Sequence, residues 1–248
     1  MKQKHIPDIL IYTPGIASDI KPQVFDSYLK ATACLWENKD YFIANILSCF
    51  ENIHISPFEI QAILEGLQVT KLNFKSLLTV KTYVLAVKKV CLNICERVFV
   101  SDRYDLIEIH RVISNTKIDD PLQGLFRKAN LKIKGVSWTP PVYSDLPYYW
   151  YQVYSYINNT TNNIIENALI IFLLISRLQF FINFNESTAL LFANGYLMQR
   201  GYAPFIIPAE ASGKFNQFLT GFYETGKADP ILNFLSQSII VDTANIQK

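Results

Sequence analysis

No block of like charge interrupts this sequence, and its 23 basic and 21 acidic residues leave a formal charge of only +2. A chain that holds nucleic acid by neutralising phosphates needs a clustered basic face, so no nucleic-acid partner is expected. Cysteine is sparse. Cys91 and Cys95 are spaced to share a helical face, but no second Cys or His pair follows at zinc spacing. The preferred reading of Cys34, Cys49, Cys91 and Cys95 is buried thiols in a reducing compartment, with no metal. Long apolar runs are missing too. The greasiest stretch, 168–175, is far too short to span a bilayer and Arg177 follows it, so no membrane association is expected. The N-terminal Met1-Lys-Gln-Lys-His5 has no apolar leader with a cleavage site. A cytoplasmic protein is therefore expected, with secretion as an effector left open. There is no internal repeat and no low-complexity tract.

What is present reads as helix almost throughout. Pro22 suits the first turn of a helix reaching Trp36. Residues 41–53 form a second apolar-rich segment. Ser56-Pro57-Phe58-Glu59 reads as a capping box with proline at the first helical position, followed by Ile60, Ile63, Leu64 and Leu67 at helical spacing. A long helix is predicted over 76–98, and Ser101 or Asp102 caps the next, with Leu106, Ile109 and Ile113 on one face. Trp150, Val153, Tyr154 and Ile157 mark another amphipathic helix. The run Asn158-Asn-Thr-Thr-Asn-Asn163 breaks it, and an apolar helix over 168–175 reads as the buried centre. Helices over 187–199, 212–224 and 229–238 follow. The exception is 126–141. There Leu131, Ile133, Val136 and Trp138 alternate with polar residues, Gly135 provides a turn and Pro140-Pro141 ends the run, which predicts a short β-hairpin. The fold class expected is mainly α with that hairpin.

An ordered set of short motifs carries a family resemblance. Gly124-Leu-Phe-Arg127, Leu131-Lys-Ile-Lys-Gly135 and Thr139-Pro-Pro141 resemble the segment upstream of the active site in Fic (Fido, Doc-like) proteins, where a β-hairpin flap ends in paired prolines. Ile109-His-Arg111, Arg200-Gly-Tyr-Ala-Pro204 and Gly226-Lys-Ala-Asp-Pro230 resemble further landmarks of the same family, in order. The resemblance implies an N-terminal helical region over 1–100 and a core over 101–248. It also implies an enzyme type that moves AMP from ATP onto a target hydroxyl. The family motif is His-Pro-Phe, any residue, Asp or Asn, Gly-Asn-Gly-Arg, two residues, Arg. Its histidine acts as general base, its glycines let backbone N–H groups curl round phosphates, its arginines neutralise charge, and its acidic residue holds magnesium.

The stretch that matches this motif departs from it nearly everywhere. Phe180 matches. Leu178 stands at the base position, Ile182 at the metal ligand, Asn183 and Asn185 at the glycines, Glu186 and Ala189 at the arginines. No His, Lys or Arg lies between Leu178 and Gln199, and no glycine between Leu178 and Asn194. Asn183 or Asn185 is expected to cap the following helix, placing Glu186 in its first turn. A carboxylate there is favoured by the helix dipole and repels an incoming triphosphate. The reading is a protein with neither cofactor nor nucleotide and a catalytic role in doubt, acting as a protein-binding or regulatory module. The alternative is a Fic-type transferase with non-standard residues, with Glu186 or Glu65 as acid or base.

Two further features follow from the resemblance. Gln61-Ala-Ile-Leu-Glu65-Gly66 resembles the family's inhibitory helix, a Ser or Thr, three residues, then Glu-Gly or Glu-Asn, with Gln61 departing from the pattern. Its expected arginine partner is absent, so inhibition through Glu65 has nothing to act on; Glu65 is a relic or an ordinary exposed helix residue, the second preferred because Glu-Gly is a common helix ending. The flap residues Leu131, Ile133, Val136 and Trp138 keep the alternation needed to take up a protein partner as an added strand; a hairpin that only lids a vestigial pocket is the equal alternative, and self-association is left open. His110 is read as a packed structural residue. Asp119-Asp120 are read as a solvated turn, and most of the tyrosines over 143–156 as core.

Overall fold

The computed structural model describes residues 4–6, 9–115, 122–159 and 163–239. Ten α-helices and one two-stranded ladder lie among them: β1 (Lys4–Ile6), β2 (Leu10–Tyr12), α1 (Tyr28–Glu37), α2 (Lys39–Phe50), α3 (Pro57–Leu64), α4 (Phe74–Cys95), α5 (Arg103–Ser114), α6 (Leu146–Asn159), α7 (Ile164–Leu178), α8 (Asn185–Met198), α9 (Ser212–Thr225) and α10 (Asp229–Ser238). β1 and β2 are antiparallel, with His5 opposite Ile11.

Helix α7 is the centre. Every residue from Ile165 to Leu178 is buried, and each aliphatic side chain so covered stabilises the fold by about 1.5–3 kcal/mol. It lies against α6 and, most extensively, α8, which in turn packs on α4 and α5. One continuous apolar cluster runs from Ile9 to Leu235, so the core passes unbroken across residue 100. Gly195 on α8 permits its closest approach, because a Cβ there would overlap the Phe99 ring.

Local signals set most helix ends. Ser56 Oγ accepts the Glu59 N–H while Glu59 reaches back to the Ser56 N–H, with Pro57 at the first helical position. Asp102 and Asp105 make the same reciprocal arrangement at α5. Asn163 caps α7 by accepting from the Ile165 N–H at 2.9 Å. Residues 160–162 of the expected polar break lie outside the described residues, as do Asp119 and Asp120.

Pro22 does not open α1. Residues 23–25 instead run beside 201–203: the Phe25 N–H donates to the Gly201 carbonyl at 2.8 Å and the Ala203 N–H to the Gln23 carbonyl at 2.9 Å. The helix starts after Ser27, whose Oγ accepts from Lys30 N–H. A proline preset to a first helical turn is equally suited to an extended edge, and the long-range pairing decides. The N-terminal segment also binds the last third of the chain. Thr13 donates from N and Oγ to the Asp229 carboxylate, both at 2.7 Å, and Ile11 pairs with Gly226 and Ala228.

The hairpin expected over 126–141 forms its turn but not its ladder. Gly135 takes φ +78° and the Val136 N–H donates to the Ile133 carbonyl, yet no strand is present among residues 122–142. The reason lies in α9. Glu224 accepts from the Ser137 N–H, the Ser137 hydroxyl and the Trp138 N–H, so the Trp138 N–H, which a ladder continuing from this turn would pair with Leu131, is already taken. Leu131, Ile133, Val136 and Trp138 are half-buried and Lys132, Lys134 and Ser137 exposed, so the alternation read from sequence survives as a burial pattern.

Three cysteines are buried as expected, and burial pushes the Cys49 and Cys91 thiols up to about 12. Cys95 is the correction: it sits exposed in the last turn of α4, on the face turned from the core.

Candidate functional site

The loop between α7 and α8 is held from below by His110, Gly124, Phe126 and Arg127. Gly124, at φ +67°, donates its N–H to His110 Nδ1 at 3.1 Å. That ring is fully buried and stacks on Phe181, centroids 3.8 Å apart and planes 5° apart. Its Nδ1 acts as acceptor, and burial lowers its pKa to about 4, so it packs as a neutral ring. Phe126 stacks on Phe180 at 4.6 Å. Arg127 is buried and ties three segments together. Its N–H donates to the Phe180 carbonyl at 2.8 Å, its Nε to the Gln179 carbonyl at 2.7 Å, and its Nη groups to the carbonyls of Ala129 and Pro141, closing the base of the flap. Arg177, also buried, donates to the Tyr223 and Ile9 carbonyls and lies 3.9 Å under the Trp138 ring.

The loop itself turns without glycine. Gln179 and Phe184 both take left-handed φ, +50° and +59°, a conformation costly for a bulky side chain. Phe184 is the N-cap of α8 and offers no side-chain cap. The capping expected of Asn183 or Asn185 is therefore corrected: Asn183 is exposed, and Asn185 is the first helical residue. The Asn185 carboxamide turns back into the loop, accepting from the Phe181 N–H and donating to the Phe181 carbonyl and Gln179 Oε1, each at 2.9 Å. Leu178 and Ala189 are buried in the apolar core, whereas Ile182 is 41% exposed at the loop's outer tip.

Glu186 does fall in the first turn of α8. Its Oε1 accepts from the Tyr223 hydroxyl at 2.6 Å and from Gln179 Nε2 at 2.9 Å. Desolvation raises its pKa, against the pull of the Tyr223 and Gln179 bonds. On the other side of the helix end lies a group that sequence reasoning passed over. Glu51, the C-cap of α2, has its Oε1 at 2.5 Å from the Tyr83 hydroxyl and 3.2 Å from Ser187 Oγ, and those two hydroxyls are 2.7 Å apart. Tyr83 is fully buried, and burial together with the Glu51 charge raises its pKa well above the ordinary value. Two carboxylates with their phenol partners thus occupy the N-terminus of α8.

Gln61, Glu65 and Gly66 are not part of this cluster. Glu65 is exposed at the end of α3, where it accepts from Gln61 Nε2 at 3.0 Å, and Gly66 turns at φ +82°. The available signal was Glu51-Asn52, which has the Glu-Asn ending of the inhibitory pattern four residues after Leu47 where Ser or Thr is expected. No group of three or more metal-ligating residues is present among the described residues. No described helix is long and apolar enough to cross a membrane.

The fold is that of solved Fic-domain proteins. The family model for the Fic/DOC family matches residues 101–197. Solved structures agree on the fold. Fic-1 from C. elegans superposes with a TM-score of 0.70 at 18% identity, over 89% of this chain and 70% of that one. A Fic domain containing signaling protein from Bacteroides thetaiotaomicron gives 0.67 at 16% identity, over 89% and 95%. A Fic family protein from Desulfovibrio desulfuricans gives 0.61 at 13%, over 88% and 74%. No curated protein sequence matches the chain.

Proposed function

We propose that this is a Fic-fold protein that transfers no AMP and works by binding a protein partner. The observation that carries this reading is the occupancy of the α8 N-terminus. A helix N-terminus attracts an anion through unpaired N–H groups and the dipole. Here Glu186 supplies that anion covalently, Tyr223 and Gln179 fix it in place, and Glu51 adds a second negative charge beside it. A triphosphate meets two carboxylates and no arginine, and Leu178, at the position of the family's base, is buried carbon. The partner surface in this reading is the flap, through Leu131, Ile133, Val136 and Trp138.

Calorimetric titration of the purified protein with ATP, with and without magnesium, tests this directly. No saturable heat at millimolar nucleotide is the expected result, and saturable binding overturns the reading. One observation favours a second reading, a transferase with altered residues: Glu186 is a carboxyl whose pKa is raised by desolvation, as a general acid requires. That reading requires donor-dependent labelling of an acceptor protein which Glu186→Gln abolishes.

A further inference from the structure

Away from the α8 site, α4 and α5 enclose a groove of about 480 Å³, lined by Leu85, Lys88, Lys89, Leu92, Arg111 and Val112 among others. Leu85 and Leu92 lie two turns apart on the outer face of α4, 54% and 45% exposed. That is a large exposure for two leucines that share one depression. The charge in the groove has one sign, since its lining contains three cations and no carboxylate. Arg111 is paired with Glu108. Among the described residues neither Lys88 nor Lys89 has a carboxylate partner.

We propose that this groove docks an amphipathic helix of a protein partner, with aliphatic anchors facing Leu85 and Leu92 and Asp or Glu on the flanks facing Lys88 and Lys89. Charge complementarity selects an acidic partner, and the walls select a helical one. Both walls are helices whose main-chain donors and acceptors are satisfied internally, so an extended segment lying between them would bury unpaired N–H and C=O groups. A helix satisfies its own, and offers side chains at the three- and four-residue spacing that an apolar groove reads. This surface is separate from the flap, and the proposal stands whether or not the protein binds nucleotide.

Fluorescence anisotropy with a labelled helical peptide carrying leucines at helical spacing between glutamates tests the proposal, against a counterpart with lysines in place of the glutamates. The glutamate peptide is expected to bind and the lysine peptide not. Lys88→Glu with Lys89→Glu should weaken binding by at least about tenfold, while Lys88→Arg with Lys89→Arg keeps it. Leu85→Ser with Leu92→Ser should also remove it. All four side chains lie on the outer side of α4, so circular dichroism should be unchanged. Four results overturn the proposal: no binding at millimolar peptide, equal binding of the two peptides, indifference to the charge reversal, or displacement of the peptide by a single-stranded oligonucleotide at equal concentration.

Discussion

The Tyr223 hydroxyl donates to Glu186 Oε1 at 2.6 Å, joining the last turn of α9 to the first turn of α8 across 37 residues of sequence. The bond offsets part of the desolvation that raises the Glu186 carboxyl, while burial first, and the Glu186 charge after it, hold the Tyr223 phenol well above its ordinary value. Tyr223→Phe should destabilise the protein by about 1–2 kcal/mol, because it leaves a charge-assisted acceptor short of a donor. Glu186→Gln should cost less, since its amide can still accept from Tyr223. Urea unfolding of both single variants and the double variant gives the coupling. A coupling near zero would mean that the pair merely coexists.

Two glycines predict opposite signs. Gly195 on α8 faces Phe99 so closely that any Cβ overlaps the ring, whereas Gly221, exposed in the middle of α9, has nothing within 4 Å of the same position. Gly195→Ala should destabilise by about 1–3 kcal/mol through overpacking. Gly221→Ala should stabilise by about 0.5–1 kcal/mol, because the helix gains propensity and the unfolded chain loses freedom. Thermal unfolding midpoints moving in the same direction would contradict the close α8–Phe99 packing.

His110 gives the pH dependence. Its folded pKa is lowered to about 4, against 6.5 unfolded, first by burial. Between those values the unfolded chain takes up a proton that the folded chain refuses, so stability falls as pH drops from about 6.5 to about 4, by up to roughly 3 kcal/mol. Glu186 and Asp105, whose carboxyls are raised by desolvation, work in the opposite sense over an overlapping range. The measurement is therefore a difference: urea midpoints of the native protein and His110→Gln between pH 4 and 7. The glutamine can still accept the Gly124 N–H, and its curve should lack this slope. Parallel curves would mean that His110 is protonated in the folded protein.

The parts of this fold legible in the sequence were those whose cause is local. The Ser56–Glu59 capping box, the all-round apolar character of α7 and the Asp229 start of α10 each sit within a few residues, and each is where the pattern placed it. Pro22 misled because first-turn and extended prolines share one φ, and the choice was made by Gly201 and Ala203. The position of Glu186 in a first turn was legible too. Its companions were not: Glu51 meets Ser187 across 136 residues and Tyr83 meets it across 104. A short dipeptide, Glu51-Asn52, was the only local trace of that meeting. The cap of α8 was missed because a bulky Phe184 at φ +59° is the residue least expected there.

Glu224 sets the state of the flap. Its carboxylate takes the N–H groups of Ser137 and Trp138 and the Ser137 hydroxyl, and the Ser137 side chain leads the contacts that hold its pKa below the ordinary carboxylate range. The lowered value fixes the sign. The tether is fully present above the unfolded pKa and is lost only as pH falls through the folded one, so it persists at neutral pH. Glu224→Ala should leave the Ser137 and Trp138 amides unpaired and speed their hydrogen exchange, while Val136, whose N–H bonds to Ile133 within the loop, changes less. Trp138 keeps its stacking on Arg177, so its emission should shift only slightly. Unchanged exchange at both amides would remove Glu224 as the reason the hairpin has no ladder. Faster exchange would free the outward-facing Ser137 N–H for a strand to pair with, and any partner that enters by strand addition should then bind the Glu224→Ala variant more tightly than the native protein.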